Sequence, residues 1–323
     1  MAEPLLIVIA PPAERSLALL DRLPGETRII AGDTVERFQD APVEEAGVVL
    51  TTGPLSGLLR PLWPRFRNVK WIHSLSAGLD NTLFPELVES SIPLTNSRGV
   101  YARSLAEFAL AGMLWFAKDL DRMRTNQRLG RWAQFDVDEL AGRTLGIVGY
   151  GEIGHAVATR AKAFQMRVHA LRRRPDLSRA DAFVDRVYQA GELLDLCAAS
   201  DYLLASAPLT PATQGMLGEP QFRALKPSSI FINLGRGPVA VESALVRALR
   251  ERWIRGAVLD VYEREPLPDG HPFYELENVL LSPHCADHTA TWTEDSMLLF
   301  LDNYERFRKG EPLRNVADKR NGY

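Results

Sequence analysis

The chain has 323 residues, of which 46% are hydrophobic and 24% charged, and its formal net charge is -3 at pH 7. This composition is typical of a globular protein with a sizeable core, and the length favours two domains. The small net charge gives no reason to expect nucleic acid or a membrane surface as a partner. The two cysteines, Cys197 and Cys285, have neither CxxC nor metal-ligand spacing, so we expect a cytoplasmic protein without a metal site.

The first hundred residues predict a small α/β domain. Short apolar runs typical of strands occupy Leu5–Ala10, Gly47–Thr52 and Val69–His73, and turn sequences such as Gly53-Pro54 separate them. No basic segment precedes the first run, which is also short for a signal peptide. We therefore expect it to be the first strand of the domain.

The next segment, Ser104–Leu120, predicts a helix. Ser104 followed three residues later by Glu107 is a capping-box pattern. The segment is apolar nearly all round, so we expect it to be buried between domains or between subunits. It is too short to span a bilayer.

From Thr144 onward, strand and helix patterns alternate regularly. The predicted strands are Leu145–Val148, Arg167–Leu171, Tyr202–Ala205, Ile230–Asn233, Ala257–Val261 and Val279–Ser282. The predicted helices between them are Ile153–Phe164, Glu192–Ala199, Pro220–Leu225 and Val241–Trp253. This repetition implies right-handed βαβ units and a parallel sheet. A last amphipathic helix, Thr293–Arg308, has no strand of its own to follow, and we expect it to return to the first domain.

A glycine-rich turn follows the strand Leu145–Val148 and opens a helix. Its residues are Gly149, Tyr150, Gly151, Glu152, Ile153 and Gly154. Gly149 would permit the tight turn, Gly151 would let a pyrophosphate approach the backbone, and Gly154 would let helix and strand pack closely. The N–H groups and dipole of the helix then favour phosphate binding. The alternative is a glycine-rich turn without a ligand.

The residues at the end of the next strand bear on the choice of dinucleotide. A site specific for NAD usually has an acidic residue there, but this chain has Arg172, Arg173 and Arg174. A guanidinium can bind a 2′-phosphate with two parallel hydrogen bonds. We therefore expect NADP(H) to be preferred, with NAD(H) possible. The alternative is a solvated arginine turn that pairs with Asp176.

Three residues of complementary chemistry follow three strands of the predicted sheet. Arg236 could clamp a substrate carboxylate, and His284 could supply a proton near neutral pH. Glu265 could orient His284 and raise its pKa. Because ligands bind outside the carboxyl ends of parallel strands, we expect the three to meet. Taken singly, Arg236 could cap a helix, Glu265 could be a surface charge and His284 could be structural.

Several ordered motifs carry a resemblance to a known family. They are Ser76-Ala77-Gly78-Leu79-Asp80, Ala207-Pro208-Leu209-Thr210-Pro211-Ala212-Thr213, Asn233-Leu234-Gly235-Arg236-Gly237, Asp260-Val261-Tyr262-Glu263-Arg264-Glu265-Pro266-Leu267 and Ser282-Pro283-His284. From about Val69 to the last helix, the chain resembles the D-isomer-specific 2-hydroxyacid dehydrogenases. Within that family it looks most like the glyoxylate/hydroxypyruvate reductases. Glu265 in place of Gln argues against the formate dehydrogenase branch.

The resemblance implies an α/β fold with two Rossmann-like domains of parallel, doubly wound sheets. The cofactor domain, residues 103–288, would be inserted into a discontinuous substrate domain, residues 1–102 and 289–323, with the active site in the cleft between them. Such proteins are commonly homodimers.

The resemblance also implies roles for individual residues. Arg236 would be the substrate clamp, His284 the proton donor and Glu265 its partner. The backbone at Ala77 and Gly78 would bind the substrate carboxylate. The remaining cofactor contacts implied by the motifs are Ala207, Pro208, Leu234, Gly235 and Asp260.

The chain departs from the family after the histidine, where small residues usually precede a threonine. Asp287 and His288 are polar and ionisable, and Trp292 follows. One hypothesis is that these side chains select a polar or hydroxyl-bearing substrate; the other is that they turn away from the site. The predicted function is hydride transfer between NADP(H) and small 2-keto acids such as glyoxylate or hydroxypyruvate. Alternatives are a dinucleotide-sensing corepressor-like protein and an NAD-dependent D-2-hydroxyacid dehydrogenase.

Overall fold

The computed structural model describes residues 4–173 and 181–323. The chain divides into two compact units, one formed by Met1–Tyr101 with His288–Tyr323 and the other by Ala102–Asp287. Each unit contains a parallel sheet with helices. The prediction of an α/β fold with two parallel sheets is confirmed.

In chain order, the strands of the described residues are β1 (Leu5–Ile9), β2 (Ile29–Gly32), β3 (Ala46–Thr51), β4 (Trp71–Ser74), β5 (Leu94–Asn96), β6 (Thr144–Val148), β7 (Arg167–Leu171), β8 (Arg186–Tyr188), β9 (Tyr202–Ala205), β10 (Ile230–Asn233), β11 (Gly256–Leu259) and β12 (Val279–Leu281). The α-helices of the described residues are α1 (Leu59–Leu62), α2 (Pro85–Glu89), α3 (Ala102–Ala117), α4 (Leu120–Arg128), α5 (Glu152–Ala163), α6 (Leu193–Ala199), α7 (Glu219–Ala224), α8 (Glu242–Arg250) and α9 (Trp292–Lys309).

The sheet of the first unit has the order β2-β1-β3-β4-β5, and its neighbouring strands run parallel. Successive residues of β1 enter two different core clusters, because side chains alternate across a strand: Leu5 and Ile7 belong to one, Leu6 and Val8 to the other. Both faces of this sheet are therefore buried, which explains the continuous apolar run. The second cluster includes Phe300 of α9, whose ring stacks on Trp71 of β4 at 5.3 Å between ring centroids.

The sheet of the second unit has the order β12-β11-β10-β9-β6-β7-β8, again with parallel neighbours. The chain starts in the middle at β6, proceeds outward through β7 and β8, and then crosses to β9 on the other side. The strand order thus reverses between β6 and β9. In open α/β sheets, ligands bind outside the carboxyl ends of the strands at such a switch point.

The predicted helix Ser104–Leu120 requires a correction at both ends. The helix α3 begins at Ala102, and the Ser104 hydroxyl donates a hydrogen bond to the Ala286 carbonyl at 2.7 Å. The predicted capping box at Ser104 is therefore wrong, because this residue lies inside the helix. At the other end, Asp119 has a left-handed backbone (φ 49°) that separates α3 from α4.

Within residues 4–173 and 181–323, no helix combines the length and the apolar character needed to cross a membrane.

Candidate active site

The glycine-rich turn lies between β6 and α5, at the switch point of the second sheet. Gly149 has a φ of +91°, and a Cβ built there would lie 2.5 Å from the backbone of Ala207. A Cβ on Gly154 would lie 3.0 Å from Ile147 Cγ2. Gly149 therefore requires glycine for the turn and its close approach, and at Gly154 the absence of a side chain allows the helix and the strand to pack closely.

Gly151 differs from these two glycines, because a Cβ built there would meet nothing within 4 Å. It is the N-cap residue of α5, and no side chain caps that helix end. Open space thus lies beside an N-terminus whose first N–H groups lack intrahelical partners. This arrangement fits the pyrophosphate of a dinucleotide, and the remaining residues of the turn (Tyr150, Glu152 and Ile153) lie around the same helix start.

The loops after β9 and β10 pack directly on this turn. Ser206 donates a hydrogen bond to the Gly149 carbonyl at 2.8 Å, and a Cβ on Gly235 would lie 2.7 Å from the Ala207 carbonyl. Asn233 accepts a hydrogen bond from the N–H of Gly235 at 3.2 Å and donates one to the Arg236 carbonyl at 3.2 Å. Sequence reasoning missed the positioning roles of Ser206 and Asn233, although both stand at or beside the last residue of a strand.

The other predicted cofactor residues also lie at strand ends. Leu234 donates its N–H to the Ala205 carbonyl, and the Pro208 carbonyl accepts a hydrogen bond from the Thr213 hydroxyl at 2.6 Å. Arg172 follows β7, and Arg173 comes next on the surface. Arg174 and Asp176, which were part of the same interpretation, lie outside the described residues.

The central contact of the site joins His284 and Glu265. Nδ1 of His284 lies 2.6 Å from Oε2 of Glu265, and the second carboxylate oxygen accepts the N–H of Tyr262 at 3.0 Å. His284 has a left-handed backbone with φ 52°. The side chains are 43% and 34% exposed, so a small molecule can reach both.

The two partners shift each other's pKa in opposite directions. The hydrogen bond to Glu265 raises the pKa of His284 against the effect of burial, and the negative charges of Glu265 and Asp260 add to the increase. Burial opposes the charge on Glu265, but the hydrogen bonds from His284 and Tyr262 prevail and lower its pKa. The pair thus favours an imidazolium beside a carboxylate, which is a poised proton donor.

Asp260 fixes the loop that carries His284. It is 1% exposed, and its Oδ1 accepts hydrogen bonds from the Ser282 hydroxyl (2.6 Å) and from the N–H groups of Cys285 (3.0 Å) and Ala286 (3.1 Å). These donors flank His284 on both sides. Sequence reasoning assigned Asp260 to the nicotinamide carboxamide, which stays a prediction, and missed this role in positioning the histidine.

Arg236 lies close enough to influence both members of the pair. Its positive charge favours the ionised form of Glu265 and opposes that of His284. One guanidinium nitrogen donates a hydrogen bond to the Gly235 carbonyl at 2.9 Å. The second unit therefore brings a cation, an acid–base histidine and its carboxylate partner to the carboxyl ends of neighbouring strands.

Ala77 and Gly78 belong to the first unit, in the loop after β4. The side chain of Asn96 donates a hydrogen bond to the Ala77 carbonyl at 2.6 Å, which fixes the loop from the end of β5. In the same unit, the His288 and Trp292 rings stack at 4.2 Å between centroids with 7° between their planes. Asp287 is assigned to the second unit.

The described residues contain no group of three or more His, Cys, Asp or Glu side chains that could hold a metal ion. Arg236, His284 and Glu265 lie at the carboxyl ends of the same sheet whose glycine-rich turn fits a dinucleotide.

Comparison with known proteins identifies the family. A family model described as "D-isomer specific 2-hydroxyacid dehydrogenase, NAD binding domain" matches residues 110–286. The chain is 34% identical over 308 residues to the glyoxylate reductase of Korarchaeum cryptofilum, covering 93% of this chain and 88% of that protein.

Solved structures agree with the sequence comparison. The D-isomer specific 2-hydroxyacid dehydrogenase from Xanthobacter autotrophicus Py2, in complex with NADPH and MES, has a TM-score of 0.84 at 30% identity over 100% of both chains. The NADPH-dependent glyoxylate/hydroxypyruvate reductase from Sinorhizobium meliloti, in complex with NADP and sulfate, has a TM-score of 0.84 at 25% identity, covering 99% of this chain and 100% of that one. The resemblance seen in the sequence motifs is confirmed. The chain belongs to the D-isomer specific 2-hydroxyacid dehydrogenase family, and it is an oxidoreductase with a nicotinamide dinucleotide cofactor.

Proposed function

We propose that this protein reduces small 2-keto acids, such as glyoxylate or hydroxypyruvate, to the corresponding 2-hydroxy acids, in the D configuration where C2 is chiral, with NADPH as the preferred reductant. The observation that carries the proposal is the 2.6 Å contact between His284 and Glu265, at the sheet edge that also presents Arg236. The reductases from Korarchaeum cryptofilum and Sinorhizobium meliloti support the choice of substrate class. A corepressor-like function is not favoured, because these relatives match nearly the whole chain.

Each residue of the trio has a distinct task in the proposed reaction. Arg236 binds the carboxylate of the keto acid, because a planar guanidinium can donate two parallel hydrogen bonds to it. A bound nicotinamide cofactor supplies the hydride for C2. His284 donates a proton to the carbonyl oxygen as that oxygen gains negative charge. Glu265 orients the imidazole through Nδ1, which leaves Nε2 as the proton donor.

The residues proposed to hold the cofactor are those of the switch point. The pyrophosphate would bind at Gly151 and the start of α5, where the backbone is open. The preference for NADPH is supported by Arg172 and Arg173 at the end of β7, where a carboxylate would repel a 2′-phosphate. NADH remains an alternative cofactor in this proposal.

The assignment of the two units to different tasks is also a proposal. We assign residues 103–288 to cofactor binding, and residues 1–102 with 289–323 to substrate binding through the backbone of Ala77 and Gly78. We further propose a cytoplasmic homodimer. Trp132 is 95% exposed and Leu129 54% exposed, and such apolar side chains favour burial against a second copy.

A steady-state screen of small 2-keto acids with NADPH and with NADH tests the function. We expect turnover with glyoxylate or hydroxypyruvate, a lower KM for NADPH than for NADH, and, with hydroxypyruvate, the D enantiomer of the product. His284→Ala should lower kcat by about 10²- to 10⁴-fold while NADPH still binds. Absence of turnover with every 2-keto acid would reject the proposal, and near-normal turnover by the variant would remove His284 from the acid role.

A further inference from the structure

Four side chains form a cluster at the glycine-rich turn, and two of them, His155 and Asp181, have no role in the function proposed above. Tyr150, the second residue of the turn, is buried, and its hydroxyl donates a hydrogen bond to Oδ2 of Asp181 at 3.0 Å. Nε2 of His155, in α5, lies 3.9 Å from the same carboxylate oxygen. The guanidinium carbon of Arg172 lies 5.8 Å from the centroid of the Tyr150 ring.

The bond between Tyr150 and Asp181 has a defined direction. Burial raises the pKa of Tyr150, and the hydrogen bond and negative charge of Asp181 raise it further, so the phenol keeps its proton and donates. The other oxygen of Asp181 accepts the N–H of Phe183 at 2.9 Å. Asp181 is therefore held by two hydrogen bonds, one from a side chain and one from the backbone.

The position of the Asp181 carboxylate matters because Arg172, in the same cluster, follows the strand whose end contacts the adenosine ribose in dinucleotide sites. Arg172 follows β7, and the residue at that position contacts the 2′ position of the adenosine ribose in dinucleotide sites. A 2′-phosphate adds a charge of about -1.5 to -2 there. A carboxylate in the same cluster disfavours that charge, whereas it has no such effect on the hydroxyl of NAD(H). How firmly Asp181 is held thus bears on which dinucleotide binds.

We propose that Asp181 is a specificity-determining residue for the cofactor, and that its hydrogen bond to Tyr150 restrains the carboxylate so that a 2′-phosphate can bind beside Arg172. The inference rests on the proposed use of NADPH, and it concerns how the same cofactor site distinguishes NADPH from NADH. Asp181 lies outside every sequence motif discussed above, and the tyrosine within the turn links it to Arg172.

Two substitutions separate the charge of Asp181 from its hydrogen bond. Asp181→Asn removes the charge and keeps an acceptor for Tyr150, so the dissociation constant for NADPH should fall while that for NADH stays the same. Tyr150→Phe keeps the ring but releases the carboxylate, so NADPH should bind about tenfold more weakly and NADH should change little. In the double variant, the Tyr150→Phe effect on NADPH should largely vanish, because the charge that it releases is gone.

The measurement is the binding of NADPH and NADH to the substrate-free protein by isothermal titration calorimetry. Asp195→Asn is the matched control, since it removes an exposed carboxylate from the first turn of α6, and it should leave both dissociation constants unchanged. Equal effects of Asp181→Asn on both dinucleotides would overturn the inference. So would an effect of Tyr150→Phe on NADPH that persists in the double variant.

The wild-type protein separates failure of the inference from failure of the proposed function. If it binds NADH more tightly than NADPH, the proposed cofactor preference fails. The direction in which Asp181→Asn changes the ratio of the two dissociation constants still decides whether Asp181 acts on selectivity.

Discussion

Replacing Glu265 with Gln should move the pH dependence of keto-acid reduction to lower pH. His284 can donate a proton only while it is protonated, so reduction should decline as the pH rises through its pKa. In the wild-type protein the hydrogen bond and charge of Glu265 raise that pKa above the ordinary value of 6.5. Glutamine can still accept a hydrogen bond from Nδ1 but carries no charge, so the imidazolium loses most of its stabilisation and the decline begins earlier.

The size of the effect follows from the geometry of the pair. The contact of 2.6 Å is a charge-assisted hydrogen bond, and such bonds contribute about 1 kcal/mol more than neutral ones. Both side chains are about a third exposed or more, so solvent screening excludes a much larger value. We therefore expect kcat/KM of Glu265→Gln to fall about fivefold relative to the wild type at pH values above the wild-type pKa of His284, and the gap to narrow as the pH falls below that pKa.

The assay is steady-state reduction of glyoxylate with saturating NADPH from about pH 5.5 to about pH 9. Glu263→Gln is the matched control, because it removes an exposed carboxylate from the same loop and should leave the profile in place. An alkaline limb at the same pH in wild type and Glu265→Gln would show that Glu265 does not set the protonation of His284.

Three further predictions concern the turn and the first unit. Gly149→Ala should destabilise the protein to urea by about 2 kcal/mol or more, since φ is +91° and the new Cβ would lie 2.5 Å from Ala207. Gly151→Ala, whose new Cβ meets nothing within 4 Å, should lose less stability than Gly149→Ala but bind NADPH more weakly, and equal urea midpoints for the two variants would contradict this contrast. Burial lowers the pKa of His73 to about 3, so between pH 6.5 and that value the unfolded chain binds a proton at this residue and the folded protein does not. The free energy of unfolding should therefore fall by up to about 1.4 kcal/mol per pH unit as the pH falls below 6.5. His73→Asn should lose this dependence in urea unfolding. Lys319→Met should speed amide exchange in β5, because Lys319 donates to three carbonyls and one hydroxyl in α2 and in the segment that leads from α2 to β5; unchanged exchange there would count against it.

The strands that the sequence did not predict share one physical property. β2 and β5 lie at the two edges of the first sheet, and β8 lies at one edge of the second. An edge strand has only one neighbour and one exposed side, so it can be short and need not be strongly apolar. β2 has one buried residue out of four, and β8 consists of Arg186, Val187 and Tyr188. Their strand conformation comes from pairing with a distant segment, which local sequence patterns do not report.

At the start of α3, a capping-box pattern in the local sequence does not form a cap, because its side chains make contacts with distant segments. Ser104 and Glu107 have the spacing of a capping box, but the helix begins two residues before Ser104. The Ser104 hydroxyl bonds the Ala286 carbonyl, 182 residues away in the sequence. Glu107 lies 3.6 Å from Arg160 of α5. Both side chains therefore contact other segments of the second unit rather than each other's backbone.

The residues of the candidate site could be predicted from the sequence because each lies just after a strand that the sequence also predicts. Arg236, Glu265 and His284 each follow a strand whose pattern is clear, and parallel strands bring their carboxyl ends to one edge of the sheet. What brings the histidine to its partner is a backbone feature, since φ at His284 is 52°. A non-glycine residue in that region is uncommon, and nothing in the local sequence requires it.

Asp260 provides the physical reason for that conformation. Its buried carboxylate accepts hydrogen bonds from the Ser282 hydroxyl, before the histidine, and from the N–H groups of Cys285 and Ala286, after it. The chain between these donors must therefore turn sharply. Three hydrogen bonds to one ionised group can offset the strain of a left-handed residue, since each is worth about 1.5 kcal/mol or more and the strain costs about 1–3 kcal/mol. The geometry of the proposed proton donor thus depends on a carboxylate that need not touch the substrate carbonyl. A sequence motif is therefore enough to select His284 as a candidate, whereas its contact with Glu265 is explained only by the folded loop.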